Sequence, residues 1–561
     1  MATVASRARA LPSLGSLRTG VAGIVLVVGA LMVFSLWLRT RALGASLWMD
    51  EGLSIGIASQ PFFDIPGVLR QDGSPPLYYL MLNVWMDVVG RGPADTQGLS
   101  VAVSLMAVPG GLWAGWTLFG RRAGLICAAL GATNPFLTIY AQETRMYSLM
   151  VVLSLLTSAA FLHVYVYRHR KYLAVFAALL AAMLYTHSWG IFVTAGTLIA
   201  VVPAYMATDE RRAFMRDVLI GFGAAFLLYV PWLPTLLYQT LHTGAPWLDP
   251  PRFGVVVQIA KGLLSGGTVT VALLLAAGSG CAAVLANRPG GLQRGAVPPF
   301  DGIGLQRGAV PHFDGIGLQR GAVPPFDEAL SKERTAVYTA FTMGAATLAV
   351  AWLFSQFSPA WTTRYLGVAL GPIFLLASVG LARAGALGLV ALVIVLGIWS
   401  IPRPDSLENK SNAADLGAAV KDTLKPGDLV ITLQPEQAPL MDYTLPPGLD
   451  EATQLGPVEI QGVMDWRDAQ ERLEAATPEK NLTPLLDRLP RSRRVLLVHP
   501  VTSDTGNWDA PWTQLVRRRA AQWGQALEAD PRFTRQAAVP AFYRRAGRIG
   551  VRGVLYEKTR N

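Results

Sequence analysis

Five short segments carry the side chains able to move a proton or hold a phosphate. SLWMDEGLSIG sets Asp50 and Glu51 side by side, and QDGSPPLYYL follows with Asp72 and Tyr78 around a Pro75–Pro76 pair that stiffens the turn. NPFLTIYAQETRMYSL holds Glu143, Arg145 and Tyr147, YTHSWG holds His187, and SPAWTTRYLG holds Arg364 and Tyr365. A carboxylate can take a hydroxyl proton and a cation can stabilise a departing phosphate. Acids beside cations next to lipid therefore suit group transfer from a lipid-linked, phosphate-bearing substrate. Taken singly, each segment has a plainer reading. Adjacent acids at a helix start favour the macrodipole, Glu143 and Arg145 make a local interfacial pair, a lone His at a span end is structural, and Arg364 anchors the chain at headgroup level. What weighs against the plainer readings is that all five segments fall on one side of the membrane.

That placement follows from the elements around them. Of the 561 residues 52% are hydrophobic and only 15% charged, against about 25% charged in an ordinary soluble domain. A wholly soluble enzyme and a disordered scaffold are excluded. Apolar blocks long enough to cross a hydrocarbon core occupy 21–38, 99–118, 125–141, 146–167, 172–185, 190–206, 218–236, 263–286, 336–354, 366–381 and 386–401, eleven expected crossings after a basic start at 1–19. The block 77–89 is shorter and contains Asn83 and Asp87, so it is expected to lie along the interface inside a first outer loop, 39–98, although a twelfth crossing is the alternative. If it does not cross, the links rich in arginine share the side of the basic N-terminus, as the positive-inside rule expects. The net charge of +11 is explained that way, and with no basic stripe interleaved with aromatics no nucleic acid partner is expected. Two cysteines, Cys127 and Cys281, lie far apart in apolar segments and imply no disulfide framework.

Two regions differ from the apolar pattern. A tandem repeat of period 13 (GLQRGAVPPFDGI and its copies) fills most of an expected cytoplasmic loop, 287–335; its Gly and Pro content opposes regular structure. From Pro402 the composition is that of a water-soluble domain, 402–561. KPGDLVITL, RRVLLVHP and GVRGVLYEK read as strands, with helical patterns around 415–424 and 512–529. The fold class is thus an α-helical polytopic membrane protein with a small C-terminal extracytoplasmic α/β domain.

WMDE shortly after a first anchor, then DGSPPLYY, YAQETRMYSL, a TH pair and a late RYL, resembles the GT-C membrane glycosyltransferases. Family 39, with its protein O-mannosyltransferases and aminoarabinose transferases, is the group most similar, over roughly 20–400. The resemblance implies a polyprenyl-phosphate sugar donor, work at the outer face of the plasma membrane, and a catalytic aspartate matched by Asp50, with Glu51 its companion and Asp72 the acid of the proline motif. Ser74 stands before the proline pair where some relatives carry His or Lys. On this footing Asp50 is the expected general base in an inverting transfer to a glycan, lipid or protein hydroxyl. Arg145, His187 and Arg364 are expected on the phosphate, Arg364 foremost because it has no acid beside it. Asp72 and Glu143 are expected to position the acceptor or a divalent metal, with Tyr78, Tyr147 and Tyr365 as further substrate contacts. A transporter or lipid flippase is the rival from another class, set against by span interiors almost free of acids.

Overall fold

The computed structural model describes residues 20–286, 326–402, 405–408, 410–502, 510–539 and 549–560. The N-terminal 1–19 and nearly all of the tandem repeat lie outside the described residues. The chain is a bundle of apolar helices followed by a small sheet domain. Among the described residues seven helical stretches are long and apolar enough to cross a membrane, and Leu77–Val89, Gly190–Met206 and Gly385–Trp399 are shorter apolar helices. Tyr147–Val166, apolar on all sides, runs through the middle and is 94% buried, whereas Val21–Arg39 is only 11% buried and lies at the periphery.

Two expected boundaries change. The block 125–141 is not one helix: Arg121–Thr133 stops at Asn134, and Pro135 opens a second helix, Pro135–Tyr140, whose start is capped by the Asn134 side chain accepting from the Leu137 N–H at 3.2 Å. The expected loop 287–335 also ends early, because a helix begins at Phe326 and runs unbroken to Phe354. Its N-terminal part is held by Glu333, which accepts from Arg383 Nη2 at 2.6 Å and Nε at 2.9 Å.

The segment between the first two long spans builds the site. After α1 (Val21–Arg39) come α2 (Met49–Ala58), α3 (Ile65–Asp72) and α4 (Leu77–Val89). The block expected to lie along the interface is α4. It buries Tyr78, Tyr79, Leu82, Asn83 and Met86 on one face and exposes Val84 and Val88 on the other. Asn83 donates to the Ala58 carbonyl at 2.9 Å, closing the end of α2. Almost every residue of α2 is buried, because the C-terminal domain covers it. Gly52 and Gly56, one turn apart, face that domain: a Cβ on Gly56 would lie 1.8 Å from the Gly462 carbonyl oxygen, and one on Gly52 2.7 Å from the Leu440 Cα. Only glycine lets the two backbones approach this closely.

The domain itself is a six-stranded sheet in the order β3-β2-β1-β4-β6-β5. The strands are β1 (Leu429–Thr432), β2 (Asp450–Thr453), β3 (Gly456–Pro457), β4 (Arg494–Thr502), β5 (Phe533–Val539) and β6 (Ile549–Lys558). The three expected strands are β1, β4 and β6, and the expected helices are Ala413–Val420 and Pro511–Ala529. β1 is parallel to both β2 and β4, while β6 runs antiparallel to β4 and β5. Alternating residues of β1 face opposite cores: Val430 packs toward the membrane bundle, and Leu429 and Ile431 pack with Trp523 and Leu527 on the far side.

Candidate active site

A cavity of about 780 Å³ opens where the helical bundle meets the sheet domain. Seven of the ten residues singled out in the sequence line it: Asp50, Asp72, Glu143, Arg145, His187, Arg364 and Tyr365. Asp50 stands in the first turn of α2. Its carboxylate accepts a short charged hydrogen bond from Arg364, which is carried on the 3-10 helix Thr363–Ala369 that leads into the helix Leu370–Arg383. The expectation that Arg364 has no competing acid is therefore corrected. No acid adjoins it in sequence, but the fold brings Asp50 onto it. Arg364 also stacks over Trp48, 5.6 Å from the ring centroid, and over Tyr365 at 5.8 Å, and its Nε is buried without a hydrogen-bond partner.

Arg145 lies on the other side of α2. Its Nη1 donates to the Asp50 carbonyl at 3.2 Å and to Ser54 Oγ at 3.0 Å, which fixes one edge of the guanidinium. Asp72 ends α3, and Gly73 at φ 93° turns the chain back in the left-handed region that glycine adopts without strain. Burial pushes the Asp72 carboxyl up from the ordinary carboxylate range, against the hydrogen bond from Ser74 and the charge of Arg145. Ser74, which departs from the family pattern, thus serves as a hydrogen-bond partner of Asp72. Gln239 ties this turn down by donating to the Leu69 carbonyl at 2.7 Å and to that of Ser74 at 3.3 Å.

His187 occupies the turn between the helices Leu173–Thr186 and Gly190–Met206. Burial, with Arg145 and Arg364 nearby, pushes its imidazole down to about 3, so it is neutral at physiological pH. The backbone N–H of Trp189 donates to His187 Nδ1 at 3.1 Å. Nδ1 is then the acceptor, and the ring proton resides on Nε2. His187 therefore offers the cavity a neutral N–H donor. Because its pKa is lowered on folding, this neutral form contributes stability that is fully present above the ordinary value of 6.5 and lost as pH falls toward about 3. His187→Gln, which keeps a neutral N–H donor, should flatten that acid loss of stability, measured by thermal melting between pH 7 and 4. A melting profile unchanged by the substitution would count against the neutral tautomer.

The other three residues sit one layer behind the wall. Glu51, fully buried, does not line the cavity. Its carboxylate accepts from Lys410 Nζ at 2.7 Å, the Thr144 N–H at 2.9 Å, Gln97 Nε2 at 3.1 Å and the Trp48 N–H at 3.3 Å. Tyr78 shares a hydrogen bond of 3.1 Å with Ser100, whose hydroxyl supports the Arg145 carbonyl at 3.1 Å. Tyr147 packs beneath Arg145, 5.6 Å from the Cζ to the ring centroid, and beside Tyr365 at 6.2 Å. All three adjoin the residues that face the cavity and do not line it themselves. Among the described residues no three His, Cys, Asp or Glu side chains come together in a way that could hold a metal ion.

Several lining residues carried no signal in the sequence. Ile191, Phe192, Val350 and Phe354 form an apolar flank on two of the helices, and Glu436, Trp466 and Thr513 form a roof contributed by the sheet domain. The sequence matches no protein-family model, and no curated protein matches it. Solved structures do. ArnT from Cupriavidus metallidurans bound to undecaprenyl phosphate superposes with a TM-score of 0.54 at 13% identity, over 96% of this chain and 98% of that one. The apo state of the same ArnT gives 0.52 at 12% identity, over 85% and 93%. At this identity the likeness shows a shared fold over nearly all of the chain, and the fold class is that of a polytopic helical membrane protein with a small C-terminal α/β domain.

Proposed function

We propose that the protein is a membrane glycosyltransferase that takes a sugar from a polyprenyl-phosphate carrier and gives it to an acceptor hydroxyl on the extracytoplasmic side. The observation that carries this is a single cavity with an apolar flank on the membrane helices, a charged floor at Asp50 and Arg364, and a polar roof. Such a cavity suits a ligand with a greasy tail, an anionic joint and a hydroxylated head. An ArnT of the same fold binds undecaprenyl phosphate, and the motif order resembling family 39 supports the same donor class.

In this reading the prenyl chain lies along Ile191, Phe192, Val350 and Phe354. The phosphate takes Arg364, which can donate two parallel hydrogen bonds to it, with Arg145 and the Nε2–H of His187 as further donors. Drawing Arg364 onto the phosphate releases the Asp50 carboxylate. The acceptor oxygen then attacks the anomeric carbon in line and inverts it, the C–O bond to phosphate breaks, and the hydroxyl proton passes to Asp50 while the polyprenyl phosphate leaves as an anion held by the guanidinium groups. Asp72 and Glu143 position the acceptor, and no step passes through a metal. The test is purified protein in lipid given undecaprenyl-phosphate mannose, glucose or arabinose with release of the carrier followed. Release from at least one donor is the expected result. Release from none, with the protein folded, would transfer the case to a transporter.

A further inference from the structure

The roof of the cavity is made from one particular place in the sheet domain. After β1 the chain turns through Pro435–Gln437 toward β2, and the elements described after β4 are the helix Pro511–Ala529 and then β5, on the opposite side of the sheet. β1 and β4 are adjacent and parallel. β1 is followed by a strand on one side and β4 by a strand on the other, so their carboxyl ends flank the crevice position at which open α/β sheets bind ligands. Glu436 comes from Pro435–Gln437 and Thr513 from the first turn of Pro511–Ala529, and both line the cavity.

Glu436 is prepared for a ligand. It is 7% exposed. One carboxylate oxygen, Oε1, accepts from Gln434 Nε2 at 2.8 Å and from Trp512 Nε1 at 3.1 Å, and Gln434 is itself held by Gln437 at 2.8 Å. The other oxygen, Oε2, is buried with no hydrogen-bond partner. Beside it runs a ladder of indoles: Trp512 lies 5.5 Å from Trp466, and Trp466 lies 4.5 Å from the half-buried Trp247, ring centroid to centroid. Trp466 and Trp247 line the cavity. A carboxyl group with one oxygen locked and the other unpartnered, beside flat aromatic faces, matches the hydroxyl edge and the C–H face of a sugar ring.

We propose that this crevice is the saccharide subsite: Glu436 hydrogen-bonds the hydroxyls of the sugar carried by the lipid donor, and Trp466 and Trp247 pack against its ring. The inference rests on the glycosyltransferase reading and assigns the sheet domain a part in choosing the sugar. Burial pushes the Glu436 carboxyl up, against the hydrogen bonds from Gln434 and Trp512, and Asp50 adds to the rise.

The experiment compares binding of bare undecaprenyl phosphate with that of its mannosyl, glucosyl and arabinosyl forms, using the full chain in lipid. Glu436→Gln keeps an oxygen for Trp512 to bond, and Trp247→Ala at the rim is a second variant whose folding does not depend on the buried network. The wild type should prefer one sugar-linked form over the bare carrier. Each variant should lose about tenfold of that preference with bare-carrier affinity unchanged. A preference untouched by both variants overturns the subsite while leaving the glycosyltransferase reading intact. Equal weakening toward bare and sugar-linked carriers overturns it also, since that reports distortion. A raised acceptor KM with the donor preference intact places the acceptor, not the donor sugar, against Glu436 and overturns the assignment. A wild type without preference that releases carrier from no donor sinks the underlying reading itself.

Discussion

Asp50→Asn should lower carrier release by about a hundred- to ten-thousand-fold, the usual contribution of a general base, while leaving the affinity for undecaprenyl phosphate equal or higher. The second half of that expectation is specific to this site. Asn is nearly isosteric with Asp, and its carbonyl can still accept from Arg364, so α2 and the cavity keep their shape. Removing the negative charge also removes the carboxylate that competes with phosphate for the guanidinium. A structural role for Asp50 predicts the opposite, with binding and turnover falling together because Arg364 loses its anchor. Measuring bare-carrier binding alongside single-turnover release separates the two. Parallel loss of both would remove Asp50 from the chemistry. Arg364→Lys provides the complement: it keeps a charge but loses the planar pair of donors, and should weaken carrier binding where Asp50→Asn does not.

The cavity-facing residues were legible because ionisable side chains beside lipid are costly unless they pair or meet water, which makes Asp50, Asp72, Glu143, Arg145, His187 and Arg364 conspicuous at the ends of apolar blocks. The same signal could not separate them from residues one layer behind. Neighbours on a helix point about 100° apart at 3.6 residues per turn, so Asp50 and Glu51 need not face the same cavity, and sequence does not say which turns inward. The Asp50–Arg364 contact was hidden for another reason: it joins the segment after the first span to a turn hundreds of residues later. Glu436 gave no sign at all, since QPEQ reads as an ordinary surface turn and only the docking of the sheet domain on α2 buries it. Among strands, the apolar runs of β1, β4 and β6 were visible. β2 (DEAT), β3 (a Gly-Pro pair) and β5 (FTRQAAV) are too short or too polar to show a period of two. The helix break at Asn134 shows how a hydropathy block can conceal a proline that starts a new helix.

The second large effect concerns the pair behind the wall. Lys410 and Glu51 are both fully buried, and Lys410 Nζ also donates to the Gln142 carbonyl at 3.0 Å. Through Glu51 this contact joins the start of α2, Gln97 on the helix Pro93–Leu105, the Thr144 backbone, and the segment leading into the sheet domain. Removing one member leaves an uncompensated charge in the interior, a loss of about 3–5 kcal/mol, whereas removing both leaves none. Glu51→Gln or Lys410→Met alone should therefore lower the melting temperature and loosen the sheet domain, read as faster proteolysis near residue 410. The double variant should recover most of the stability and, with the domain seated again on α2, most of the carrier release. That recovery is what distinguishes positioning from chemistry. If Glu51 touched the reacting atoms, the double variant would regain its stability and stay inactive.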